Sequence, residues 1–146
     1  MLLKNLIKLS LVKHNKLKIK GLTTNSKKVK KGFIFFAIKG NKLNGENYIN
    51  EAIKKGAAVV VCSNNYKLKN NKIIIVKTKK IKSFLSKVTS KFYRLKPRNI
   101  IAVTGTNGKT SVADFFYQIL NLNNISVASI GTLGIKYNNK VLKNNL

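Results

Sequence analysis

Short continuous apolar runs alternate along this chain with segments whose apolar residues recur every three or four positions. That alternation predicts strands buried on both faces, interleaved with amphipathic helices. Leu2, Leu3, Leu6, Ile7 and Leu11 fall near i, i+3, i+4 spacing and predict an amphipathic opening helix within residues 1–12, packed on its own domain. Phe33 to Ile38 is uninterrupted apolar sequence bounded by Gly32 and Gly40, which predicts a buried strand over Gly32 to Ile38. A polar loop between Gly40 and Gly45 leads into Tyr48, Ile49, Ala52 and Ile53 at helical spacing, with Gly56 where a C-cap belongs. Ala57 to Cys62 is the next buried strand. After a polar turn over residues 64–71, Ile73 to Val76 predicts another strand. Ile81 to Tyr93 then predicts a helix with Phe84, Leu85, Val88 and Phe92 on its apolar face.

Pro97, flanked by Lys96 and Arg98, cannot continue that helix and marks the domain boundary. Beyond it, Ile100 to Val103 is continuously apolar, as a strand of a parallel sheet is. A glycine loop follows, then a helix over Lys109 to Leu122 whose apolar positions are Val112, Phe115, Phe116, Ile119 and Leu120. Ser126 to Ile130 predicts a strand, and Ile135 to Leu142 a hairpin turning at Asn138-Asn139. No internal repeat is evident. The reading is an α/β chain of two domains, 1–96 and 97–146, the second short of a full domain's length.

Composition changes this picture little. The formal charge of +27, from 30 basic and 3 acidic residues, ordinarily points to a polyanion such as nucleic acid or an acidic membrane. Only Arg94 and Arg98 are arginines, however, and the lysines are dispersed among asparagines and isoleucines. All three of those residue types have A/T-rich codons, so codon bias is enough to produce such lysine content without a partner, though it leaves the scarcity of Asp and Glu unexplained. The single cysteine, Cys62, excludes an internal disulfide framework and reads as a small apolar strand residue in a reducing compartment. The single histidine, His14, sits among lysines with no ligand-spaced partner, so a histidine metal site is excluded. Lys4 and Lys8 interrupt the opening segment before an export signal can form, and no stretch approaches the roughly 20 apolar residues that span a bilayer. A helix lying on a membrane surface is the minor alternative for that segment.

The candidate chemistry lies in Val103-Thr104-Gly105-Thr106-Asn107-Gly108-Lys109-Thr110, between the predicted strand and the predicted helix. Glycines let backbone N–H groups converge on phosphate oxygens, and the helix N-terminus favours negative charge. Lys109 is placed to neutralise the β- and γ-phosphates, and the Thr110 hydroxyl to ligate Mg²⁺. The general pattern G-x-x-x-x-G-K-S/T is met except at its first position, where Val103 stands. The competing reading is a glycine turn before a surface lysine.

Thr104 to Thr110 resembles the ATP loop of the Mur ligases, whose version characteristically lacks that first glycine. Upstream, Asn25 to Gly40 resembles the family's Asp-Ser-Arg motif followed by a glycine, an apolar strand and another glycine. Asn25 and Lys27 stand in place of the usual Asp and Arg, leaving Ser26 as the unchanged member. Asn44 to Ile49, Ala52 and Gly56-Ala57 continue the likeness. Downstream, Ser129 to Gly134 is similar to the segment after the ATP loop in the MurE type, which adds a diamino acid. The resemblance runs from about residue 20 to residue 146.

This resemblance implies a small N-terminal α/β domain that holds the UDP part of the substrate, followed by the truncated start of a P-loop central ATPase domain. It carries Thr24, Ser26, Asn41, Lys42 and Leu43 over as substrate contacts, with an ordinary polar turn as their competing reading. It carries Thr104, Gly105, Thr106, Asn107, Gly108, Lys109 and Thr110 over as the ATP site, with Lys109 catalytic and Thr110 on the metal. The implied cofactors are ATP and Mg²⁺. The implied partners are UDP-N-acetylmuramoyl-L-Ala-D-Glu and a diamino acid, meso-diaminopimelate or L-lysine. The implied reaction is formation of an acyl phosphate and its capture by the amine, in the cytoplasm, by a monomer serving peptidoglycan synthesis and so cell shape and division. The family continues beyond this point into a threonine-rich substrate segment and a C-terminal domain. The expectation is therefore a truncated chain or partial gene record, inactive alone.

Two rivals come from other classes. Lys31 to Ile38 partly matches the RNP1 pattern of RNA-binding modules but departs from it at Ile34 and Ile38, and this reading leaves Thr104 to Thr110 unexplained. A nucleotide-binding fragment without catalysis is the other.

Overall fold

The computed structural model describes residues 1–7, 16–41, 43–67 and 73–142. Within it the chain divides into two compact units, Met1–Lys96 and Pro97–Leu146.

The first unit is built on a four-stranded parallel sheet in the order β1 (Gly21–Thr23), β2 (Phe33–Phe36), β3 (Val59–Cys62), β4 (Ile74–Lys77). The register runs Leu22 to Ile34, Ile34 to Val59 and Val59 to Ile74, so consecutive strands are spatial neighbours. Successive side chains of a strand point to opposite faces, and the two faces have different covers. Ile34, Phe36, Val59, Val61 and Val76 form one core with Leu3, Leu6 and Ile7 near the N-terminus and Val88 of α3 (Ile81–Phe92). Phe35, Ala37, Val60 and Cys62 form the other with Val29 and with Ile49 and Ala52 of α2 (Ile49–Lys54). This accounts for the unbroken apolar runs in β2 and β3: both faces are inside, and the strands are made of β-branched and aromatic residues that suit a pleated sheet. Full burial of a side chain such as Phe36 stabilises by about 1.5–3 kcal/mol. Its ring packs tilted against Phe84 of α3, with centroids 6.5 Å apart.

Local chemistry explains the C-terminal end of α2. Gly56 has φ +91°, and the N–H groups of Gly56 and Ala57 bond back to Ile53 O (2.9 Å) and Ala52 O (3.0 Å), closing the helix in a left-handed glycine cap. A β-carbon there would also lie 3.1 Å from the Lys31 Cα.

The second unit contains α4 (Lys109–Leu122) and an antiparallel meander of β5 (Ala128–Gly131), β6 (Gly134–Tyr137) and β7 (Lys140–Leu142). Tyr137 pairs with Lys140 across Asn138 and Asn139, whose φ values of +45° and +58° are those of a two-residue hairpin turn with both centres left-handed.

Several expectations need correction. The opening helix is only α1 (Leu3–Leu6). The backbone of Met1 to Leu3 bonds to Leu17–Ile19 instead, through Leu3 N to Leu17 O (2.8 Å) and Ile19 N to Met1 O (2.7 Å), and Ile7 is already extended. Leu3, Leu6 and Ile7 are buried as the spacing implied; Leu11 and His14 lie outside the described residues. Ile100 to Val103 is not a strand: it has no hydrogen-bonded neighbour among the described residues, and Ile100 is 79% exposed. A strand needs an adjacent strand to take its N–H and C=O groups, which local hydrophobicity cannot supply. The face of α4 that packs is also different from the one expected. Tyr117 is buried and Ala113 and Leu120 are half-buried, whereas Val112, Phe115, Phe116 and Ile119 are exposed. Strand β1 was not foreseen, because three residues between lysine-rich segments carry too little period to register.

Candidate functional site

In a parallel sheet, ligands bind outside the carboxyl ends of the strands. Two of the predicted contact segments leave that edge from the adjacent strands β1 and β2. After β1, the Thr23 hydroxyl donates to Asn25 O (3.2 Å) and accepts from Asn25 N (3.1 Å). Asn25 Oδ1 then accepts from Lys27 N at 2.9 Å and caps a 3-10 turn, Ser26–Lys28. Asparagine thus makes the turn that an aspartate in this place could make. Thr24 is exposed; Ser26 is only 7% exposed, and its hydroxyl donates to Glu51 Oε2 at 2.7 Å. That bond ties the turn to α2, and the Ser26 oxygen keeps only its capacity to accept.

After β2, the loop folds on itself through a bridge between Lys39 and Asn44, with Gly40 N donating to Leu43 O (2.8 Å) and Gly45 N to Ile38 O (2.9 Å). Asn41 and Leu43 are exposed at its tip; Lys42 lies outside the described residues. Gly45 is required by space: a β-carbon there would lie 2.6 Å from Ile38 O and 2.9 Å from the Ala37 carbonyl carbon. Glu46 follows, and its Oε1 accepts the N–H of Ser63 at 2.9 Å, fixing this loop to the end of β3.

In the second unit the predicted phosphate loop stands open at the head of α4, and Thr104 to Thr110 are all exposed. Gly105 (φ +145°) and Gly108 (φ +76°) take backbone conformations that residues with a β-carbon rarely adopt. Gly108 is the N-cap and has no side chain to cap with, and the first helical bond runs from Val112 N to Gly108 O at 2.9 Å. The N–H groups of Lys109, Thr110 and Ser111 therefore have no acceptor within the helix, which is the arrangement that receives an anion. Lys109 Nζ donates to Gly105 O and, at 2.8 Å, to Thr106 O, so its charge is folded back over the loop. The Thr110 and Thr132 hydroxyl oxygens are 3.1 Å apart. Thr110 offers the hard oxygen that Mg²⁺ prefers, and such an ion takes most of its other oxygens from phosphate and water. The residues present fit that ion bound together with a nucleotide.

The chain's three acidic residues were not assigned from the sequence, and each has a definite partner. Glu46 holds Ser63 N; Glu51 holds Ser26 and Lys55 Nζ (2.7 Å); Asp114 of α4 accepts from Gln118 (2.8 Å) and pairs with Lys136 of β6. Donation by Lys55 and then Ser26 holds the Glu51 carboxyl below its ordinary value, and donation by Lys136 and then Gln118 does the same for Asp114. Burial pushes the Cys62 thiol up, consistent with its place inside β3. The RNP1-like segment makes no base-stacking platform, since Phe35 and Phe36 are fully buried.

Residues 18–93 match the family model "Mur ligase family, catalytic domain", and residues 103–146 match "Mur ligase middle domain". The chain belongs to the Mur ligase family. Among Mur ligases, it is 44% identical over 119 residues to the UDP-N-acetylmuramoyl-L-alanyl-D-glutamate--2,6-diaminopimelate ligase of Rickettsia montanensis, covering 82% of this chain and 24% of that one. It is 37% identical over 124 residues to ligase 2 of the same name from Clostridium acetobutylicum, covering 84% of this chain and 26% of that one. The chain thus spans about a quarter of the length of the curated relatives it matches. A solved structure of a 2,6-diaminopimelate ligase superposes on 97% of this chain and 29% of its own, with a TM-score of 0.75 at 21% identity, showing the Mur ligase fold. The MurF ligase of Thermotoga maritima, solved in complex with ADP, covers 73% of this chain and 24% of its own, with a TM-score of 0.59 at 26% identity. No helix among the described residues is long and apolar enough to cross a membrane.

Proposed function

We propose that these residues form the UDP-substrate-binding domain and the ATP loop of a ligase that adds a diamino acid to UDP-N-acetylmuramoyl-L-Ala-D-Glu. The observation that carries the proposal is the head of α4, where Lys109 Nζ lies against the carbonyls of Gly105 and Thr106 beside helix N–H groups without intrahelical acceptors. That combination suits a polyphosphate. Thr104 to Thr110 hold the ATP phosphates, Lys109 neutralises the charge of the transferring phosphoryl group, and Thr110 holds Mg²⁺, which when bound shields the phosphate oxygens. In the first unit, Thr24, Asn41, Lys42 and Leu43 present the UDP end of the substrate with its binding surface. Ser26 shapes that surface, its hydroxyl hydrogen already engaged in the bond to Glu51.

The reaction transfers the γ-phosphoryl group of ATP to the substrate glutamate carboxylate and releases ADP. The diamino acid's amine then attacks the acyl carbon, forming the amide and releasing phosphate. The relatives are named for 2,6-diaminopimelate, which favours that diamino acid over lysine. We place the reaction in the cytoplasm, carried out by a monomer with no nucleic-acid partner.

The test is a chimera in which this chain replaces the corresponding segment of the Rickettsia montanensis ligase. ADP release should require UDP-N-acetylmuramoyl-L-Ala-D-Glu and diaminopimelate together. A folded chimera that releases no ADP with either diaminopimelate or lysine overturns the proposal.

A further inference from the structure

Thr132 has no role in the motif that defines the phosphate loop, yet the fold brings it there. It lies in the two-residue turn between β5 and β6, where Gly131 pairs with Gly134 and Gly134 has φ +97°. Three contacts pin the meander to α4: Lys136 pairs with Asp114, Asn121 Nδ2 donates to Asn139 Oδ1 (2.8 Å), and Asn139 N donates to the Tyr117 hydroxyl (3.4 Å). With the hairpin held along the helix by these pairs, its turn reaches the first turn of α4, and the Thr132 oxygen comes to 3.1 Å from that of Thr110.

Resting on the nucleotide-site reading above, we infer that Thr132 is a positioning residue whose hydroxyl oxygen accepts a hydrogen bond from the Thr110 O–H. A threonine that ligates a cation gives an oxygen lone pair to the ion, so its O–H must point elsewhere. In the free chain either hydroxyl can donate to the other. A cation on Thr110 draws electron density from its oxygen, making that hydroxyl the stronger donor and the poorer acceptor; the favoured direction is then from Thr110 to Thr132, whose oxygen is the acceptor in place for it. Groups that orient a metal ligand in this way typically change metal affinity by about 10–100-fold when removed. Thr132 is exposed, so changing it disturbs no core.

The experiment titrates a fluorescent ATP analogue into the chimeric ligase described above, with and without Mg²⁺, for the unaltered chimera and for its Thr132→Val, Thr132→Ala and Thr132→Ser variants. For Val and Ala, the Mg²⁺ concentration giving half of the metal-dependent gain in affinity should rise by about 10-fold or more. Ser should restore it, and affinity without Mg²⁺ should be the same for all four proteins. An unchanged Mg²⁺ midpoint in Thr132→Val and Thr132→Ala overturns the inference while leaving the nucleotide site standing. Equal loss of affinity with and without Mg²⁺ also overturns it, because it makes Thr132 a direct phosphate contact. Absence of nucleotide binding by the unaltered, folded chimera overturns the nucleotide site, and the inference with it.

Discussion

Ser26, in the 3-10 turn after β1, donates its hydroxyl proton to Glu51 of α2 across 25 residues of sequence, at 2.7 Å. The contact joins a loop at the carboxyl edge of the sheet to the helix that covers one of its faces, and it makes that loop sensitive to acid. Glu51 is held below its ordinary value in the folded chain by Lys55 and Ser26. Its contribution to stability is therefore complete above the unfolded carboxylate value of about 4.3 and is lost as pH falls through the lower folded value. We predict that Glu51→Gln, which keeps an acceptor for Ser26 but does not titrate, flattens the acid limb of the N-terminal unit's melting temperature against pH. An unchanged acid limb would show that Glu51 is not its source.

Gly45 supports a second prediction in the same region. A β-carbon at this position meets backbone atoms of Ile38 and Ala37, not the yielding end of a side chain. Gly45→Ala must therefore push the loop carrying Asn41 and Leu43 away from β2, at a cost of about 1–3 kcal/mol, the range for overpacking. In the chimera, KM for the UDP-linked substrate should rise while KM for ATP stays unchanged. Equal effects on both would mean that the loop is not the substrate's binding surface.

What was legible in the sequence follows from what each element needs. Strands β2 and β3 carry their signal in their own residues, because burial on both faces writes an unbroken apolar run. The C-terminal end of α2 and the turn of the β6–β7 hairpin were legible because Gly56 and Asn138-Asn139 satisfy local backbone demands. The helix after the phosphate loop was legible in its bounds but not in its packing. Which side of α4 is covered depends on where the meander lies, and Asp114–Lys136 and Tyr117–Asn139 are pairings across 22 residues with no periodic trace. The Ile100–Val103 misreading has the same origin, since a strand is a relationship to a neighbour. Ser26 was found as a motif residue, but its partner Glu51 was not, because nothing in spacing links a turn to a helix face 25 residues away.

The division at Lys96 and Pro97 gives a third prediction. The N-terminal unit contains both buried core clusters, whereas Leu95, Ile100 and Ile101 around the junction are exposed. Brief digestion with a protease specific for lysine and arginine, which does not cut the Lys96–Pro97 bond, should cut first at the exposed Arg94 or Arg98 and leave an N-terminal piece that resists further cleavage. Preferential survival of the C-terminal piece would contradict this ranking of the two units.

The last prediction concerns Lys109 in the chimeric ligase. Its ammonium group sits at the mouth of the loop, held by the carbonyl oxygens of Gly105 and Thr106, and both the lysine and the loop are exposed. Contacts of this kind contribute little to folding, so Lys109→Ala should leave the melting temperature without nucleotide nearly unchanged. Catalysis differs, because charge accumulates on the transferring phosphoryl group and a cation fixed beside it lowers the barrier directly. Removing one such preorganised group costs about 100-fold or more in turnover. The expected result is that loss in ADP release at saturating ATP, UDP-N-acetylmuramoyl-L-Ala-D-Glu and diaminopimelate, with KM for diaminopimelate little altered. If Lys109→Ala instead turns over near the normal rate, the ammonium group over Gly105 and Thr106 is not the one that neutralises the reacting phosphate, and the charge must come from another residue.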